Sequence, residues 1–346
     1  MSLIQRAAVV AFLASVTFLS ASSSAHARIQ VKVVVVAAFD DELQNWITNL
    51  PLSVTIPFPQ GFEALRYNPN LKVLGIITGQ GKSHAAASIM GLGLDPRFDL
   101  SRAYWIIAGI AGVDPNQASV ASVAWAKFIV DGDLAYQIDA REIPAGWSTG
   151  YVAFGRNTPY EPPPQAFFSN GVQQVYKLNA SLADFAFRLT ADVTLPDDAN
   201  LQRVRAGYPG HPNALKPPFV LEGDDLSADN FWSGDLLTTW AENWITYWTA
   251  GQGSFVMSEF EDAGIGQALQ FLSHVHRVDK NRILVLRAGS NYTVQPEGQT
   301  PAEFLKDKNS GGLSSLQQAL NDLYQVGSIV VVKLSHNWDT YEHQVP

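Results

Sequence analysis

The chain has 346 residues and no cysteine, which excludes disulfides, zinc–thiolate sites, iron–sulfur clusters and a cysteine nucleophile. Hydrophobic residues make up 47% of it and charged residues 16%, ample material for a large core. A net charge of −9 argues against a partner held through its phosphates, so no nucleic-acid partner is expected.

At the amino end, Arg6 precedes an apolar run at 7–19, a Ser-rich stretch and Ala25-His26-Ala27. This is the pattern of a secretory leader (1–27) with a small-residue cleavage site, so the mature chain is expected to begin near Arg28 in an exported, periplasmic setting. The apolar run is shorter than the roughly 18 residues a spanning helix needs, and no integral membrane span is expected once the leader is removed.

Residues 31–38 are a continuous, mostly β-branched run without alternation, as expected of a strand covered on both faces. Similar runs predict strands at 71–78, 104–108, 121–130, 282–287 and 328–334, and helical patterns fall at 84–92, 261–275 and 313–324. Strands alternating with helices predict an α/β chain: three layers, with a central mostly parallel or mixed sheet flanked by helices. Residues 28–346 are expected to form one domain. Within it, 147–229 reads as a Pro/Gly-rich insertion over a pocket, with a helical piece near 172–190. Over 231–249, Trp240, Trp244 and Trp248 lie four apart on one helix face, a stripe expected to pack on the core, with an aromatic wall or an oligomer contact as the alternatives.

Ligands of open α/β sheets bind at the carboxyl ends of the strands, and four such ends stand out. The first runs into Phe39-Asp40-Asp41-Glu42, where helix capping competes with a cleft-facing acid. The second ends in Gly79-Gln80-Gly81-Lys82-Ser83, whose spacing from Gly75 has one residue too many for a nucleotide-triphosphate loop; a glycine turn approaching a ligand fits better. The third ends in Gly109-Ile110-Ala111-Gly112, suited to a flat group against bare backbone. The late strand exits into Arg287-Ala288-Gly289-Ser290-Asn291, downstream of Glu259-Phe260-Glu261-Asp262. No G-x-S-x-G elbow is present, and the histidines show no metal-ligand pattern, so neither a serine hydrolase, a metal site nor a cofactor is expected. Lys82 and Arg287 read as packing or ion-pair residues.

These four strand ends, in this order, resemble the nucleoside phosphorylase and nucleosidase superfamily, and the chain from about Arg28 onward is more closely similar to the purine nucleoside permease (NUP) family. The resemblance implies a nucleoside-phosphorylase-like fold and a purine nucleoside ligand. It casts Glu42 as the base for attacking water, Glu261, beside Asp262, as the acid gripping the ribose hydroxyls, and Asn291, beside Ser290, as the residue bonding purine N7. Gly81, Ile110 and Gly112 would lie along the substrate. An amide at 291 supplies no proton, which suits 6-oxopurines better than adenine. In bacterial phosphorylases of this superfamily the third strand gives an arginine and a serine or threonine to phosphate; the matching positions here are Ile107 and Ile110. Hydrolysis is therefore expected over phosphorolysis, with capture of a nucleoside for uptake as the competing reading. Superfamily relatives are often oligomers, so a homo-oligomer is also expected.

Overall fold

The structure is a computed structural model that describes residues 28–162, 174–311 and 315–346. The expected leader, the first residues of the helical piece at 172–190 and the start of the helix at 313–324 lie outside these.

The Val33–Ala37 strand is buried along its whole length, and its side chains alternate between two cores. Val34 and Val36 join Ala85, Ile89 and Leu272, whereas Val33 and Val35 join Leu43, Trp46, Leu323 and Val330. A strand covered on both faces needs apolar residues at every position, hence the unbroken run. The first face carries helices α2 (Lys82–Leu94) and α6 (Asp262–His274). The second carries α1 (Asp40–Asn49), α3 (Ala180–Thr190) and α8 (Leu316–His336).

The sheet is mixed. Val33–Ala37 lies between Val73–Ile77 and Tyr104–Val113, parallel to both, and Ile283–Tyr292 runs parallel to Tyr104–Val113. Phe255–Glu259 joins Tyr104–Val113 antiparallel, extending the sheet through Asp224–Ser227 and Phe128–Asp131 to Val175–Lys177. Two strands run longer than expected, Tyr104–Val113 past 108 and Ile283–Tyr292 past 287. Their glycine-rich extensions stay paired, with a register shift between Gly289 and Asn291 that leaves Ser290 bulged.

Three expectations need correction. Residues 328–334 form no strand; they continue α8, in which Leu323, Val326, Val330, Val331 and Leu334 make one buried helical stripe. A short β-branched run is ambiguous until joined to the residues before it. Residues 121–130 give two strands, Val123–Trp125 and Phe128–Asp131. The stretch 147–229 contributes Val175–Lys177 and Asp224–Ser227 to the main sheet, besides α3 and the short α4 (Ala199–Arg205).

The tryptophan stripe lies on α5 (Asp235–Trp248) and packs on the core as expected: Trp240 and Trp244 are buried, Trp244 Nε1 donates to Asp131 O at 2.9 Å, and Trp240 stacks on Tyr151 at 4.2 Å. The first and last described residues gather at the amino ends of the parallel strands. Ile29–Gln30 pairs with Phe98–Asp99, and the Tyr341 carbonyl accepts from Tyr104 Oη (2.8 Å) and Arg282 Nη1 (2.6 Å). Among the described residues no helix is long and apolar enough to cross a membrane.

Candidate functional site

At the opposite, carboxyl ends of the strands lies a cavity of about 370 Å³, within the range of small-molecule sites. Glu42, Ile110, Gly112, Glu261, Ser290 and Asn291 all line it.

Glu42 lies in the first turn of α1, where an acid often serves the helix N-terminus. Asp40 and Asp41 stay exposed, but Glu42 turns inward and is only 2% exposed. Its Oε2 accepts from the Ala38 N–H and its Oε1 from the Ile110 N–H, both at 2.7 Å, tying the first strand end to the third. Burial pushes its carboxyl up to about 7; the Arg287 guanidinium opposes that rise and the Glu261 charge adds to it. Gly109 makes this packing possible. A Cβ there would overlap the Arg287 guanidinium and lie 2.6 Å from Glu42 Oε1.

Glu261 is also buried, its Oε1 accepting from the Gly81 N–H at 3.2 Å and its Oε2 lying 3.5 Å from Arg287 Nη2. Burial raises its carboxyl as well. Gly81, at φ +88°, thus serves the cavity from behind: it is not among the lining residues, and its N–H holds Glu261 rather than a ligand. Asp262 is likewise displaced from its expected place. It is fully buried and ion-paired with Arg287 through both Nε and Nη2. Arg287 and Lys82 are ion-pair residues, as expected: Arg287 Nη2 also reaches Glu259 at 3.3 Å, and Lys82 Nζ binds Asp131 at 3.0 Å and Asp133.

Asn291 Nδ2 donates to Tyr292 O at 2.9 Å and its Oδ1 accepts from Ser290 Oγ at 3.1 Å. An amide nitrogen carries two hydrogens, so one N–H is left for a ligand. The bulge at Ser290 turns both side chains toward the cavity.

Several lining residues escaped sequence reasoning. The cavity is closed by Asn230–Trp232, just after the stretch expected as the insertion, and not by the described residues of 147–229. Glu259 lines it with Oε1 free of any hydrogen bond, and the rings of Phe231 and Phe260 meet edge-on at 6.4 Å. Lys308, on α7 (Pro301–Gly311), sets its ammonium 2.9 Å from the Phe231 ring centre, and burial pulls it down to about 8. The pair Glu259 and Glu261 flanking an aromatic was visible as a pattern; nothing in the polar run around Lys308 marks it. Among the described residues no cluster of His, Asp and Glu is placed to hold a metal ion.

This sheet, with buried acids gathered at its strand ends, is the nucleoside-phosphorylase-like fold. A 5′-methylthioadenosine/S-adenosylhomocysteine nucleosidase of Streptococcus pneumoniae matches with a TM-score of 0.53 at 16% identity, over 88% of this chain and 99% of that one. The futalosine hydrolase of Helicobacter pylori matches with a TM-score of 0.53 at 15%, over 88% and 98%. Within that fold the chain belongs to the purine nucleoside permease (NUP) family, whose model matches residues 30–346. A probable purine nucleoside permease of Schizosaccharomyces pombe is 29% identical over 89% of this chain and 90% of its own, and a purine nucleoside permease of Candida albicans is 26% identical over 90% and 76%.

Proposed function

We propose that the protein binds purine nucleosides in this cavity and hydrolyses their N-glycosidic bond. The observation that carries this reading is Glu42: a buried carboxyl at the cavity wall, held by two backbone N–H groups and titrating near neutrality. A general base works best when its pKa lies close to the working pH. In the ionised form Glu42 takes a proton from water as the water oxygen bonds C1′ and the C1′–N9 bond breaks, sending its electrons into the purine. The spare Asn291 N–H donates toward N7 as charge builds there, and Glu261 accepts from the ribose hydroxyls. A hydrogen bond without proton transfer favours 6-oxopurines, the better leaving groups.

Water is the preferred nucleophile because the third strand offers phosphate no cation. Ile107 points into the core and Ile110 lines the cavity, while Arg287 is already enclosed by carboxylates. A second reading is favoured by what the relatives are called: capture of a nucleoside for uptake, without cleavage, by a protein exported through its leader.

Phosphate-free incubation with inosine, guanosine and adenosine, followed by chromatography of free base, separates the two. Base release that needs no phosphate and disappears in Glu42→Ala supports hydrolysis. Saturable binding without release, equal in both proteins, overturns it in favour of capture. Sequencing the amino end of the exported protein tests the leader, with Arg28 expected as the first residue.

A further inference from the structure

Five carboxyl groups surround one guanidinium at the cavity wall: Glu42, Glu259 and Glu261 line the cavity, and Asp225, Asp262 and Arg287 lie behind them. Arg287 pairs with Glu259, Glu261 and Asp262, Glu42 lies beside it across Gly109, and Asp225, on the neighbouring Asp224–Ser227 strand, sits next to Asp262. All six side chains are buried. One positive charge does not balance five negative ones on side chains this deeply buried, so the cluster must retain protons.

The hydrogen bonds indicate where one of them sits. Glu42 accepts from the Ala38 and Ile110 N–H groups, Glu259 from those of Glu261 and Asp262, Glu261 from that of Gly81, and Asp262 from Arg287. Asp225 is the exception: it is 0% exposed, and no donor reaches either of its oxygens. A buried carboxylate without a donor is the costliest member of such a group, whereas a carboxylic acid beside a carboxylate can donate to it.

We propose that Asp225 is a positioning residue that keeps its proton at neutral pH and, through it, donates a hydrogen bond to the Asp262 carboxylate, so that Asp262 holds Arg287 against Glu259, Glu261 and the Ile110 carbonyl. Arg287 Nη1 lies 3.3 Å from that carbonyl, in the residue whose N–H holds Glu42. The chain Asp225–Asp262–Arg287 therefore connects a residue outside the cavity to the two acids assigned to water and ribose. Its consequence for cleavage rests on the nucleosidase reading; the proton on Asp225 does not.

The test has two arms. The first is infrared difference spectroscopy of the resting protein at pH 8, wild type minus Asp225→Asn. Loss of a protonated-carboxyl band that shifts in D₂O is expected. Loss of an ionised-carboxylate band instead would overturn the proposal, as would a protonated band that vanishes in Asp262→Asn but persists in Asp225→Asn. In the second arm, Asp225→Asn, which keeps a donor, should retain kcat within about threefold, while Asp225→Ala should lower it roughly ten- to a hundredfold, the span of a lost hydrogen bond to a charged group. The Ala loss should appear in kcat more than in KM. If the wild type binds nucleoside without cleaving it, the same ratios are read in Kd. Equal values for Ala and wild type would show that Asp225 positions nothing.

Discussion

Glu42 links acid–base chemistry to stability through one carboxyl. Its ordinary value is 4.5 and the folded value is about 7, so between these limits the folded chain holds more protons than the unfolded one. Stability must therefore fall as pH rises from about 4.5 to 7, by roughly 3 kcal/mol from this group at most. Base release depends on the ionised form and should rise over the upper part of the same window. Glu42→Gln is expected to lower kcat by about 10²–10⁴-fold and to flatten the decline in unfolding free energy toward pH 8, measured by denaturant titration at several pH values. A variant that lost activity but kept the wild-type pH dependence of stability would disconnect the two effects. Gly109→Ala places a methyl between Arg287 and Glu42, and about 1–3 kcal/mol of overpacking together with a large loss of kcat is expected from calorimetry and base-release assays.

At the scale of elements, the sheet was legible wherever both faces are buried, because 31–38 and 71–78 then need apolar residues throughout. The same rule misread 328–334, whose valines are spaced for a helix only when Leu323 and Val326 are included. The site was legible where polar residues cluster at strand ends, as at Glu42, Glu261 and Ser290-Asn291. It was illegible where chemistry comes from chain crossing: Lys308 reaches the cavity from a later helix, and Asp225 stands in an ordinary acidic pair, its isolation created by the strands that cover it. Helix packing supplies a test of its own. Gly264 in α6 lies against the Lys82 backbone at the start of α2, where a Cβ would overlap the Lys82 carbonyl. Because the obstacle is backbone, Gly264→Ala should lower the melting temperature by several degrees and loosen the Gly81 turn that holds Glu261, weakening nucleoside binding in calorimetry.

Across the whole molecule, the mixed sheet imposes a polarity that the first and last described residues respect. Ile29–Gln30 enters beside Phe98–Asp99, and the last helical turn is fastened to Tyr104 and Arg282, the residues at the beginnings of the strands whose far ends carry Ile110 and Asn291. A segment joined directly ahead of Arg28 or after Pro346 is therefore expected to project from the pole opposite the cavity. A protein immobilised on a sensor surface through an amino- or carboxyl-terminal tag should bind nucleoside with the same Kd in both orientations, whereas coupling through a cysteine introduced at the exposed Phe62, close to Gly79 in the second strand-end turn, should impede it. Tethered next to Arg28 or Pro346, the molecule would turn its cavity, and the Asn230–Trp232 segment that covers it, toward the surrounding solution and away from the surface that holds it.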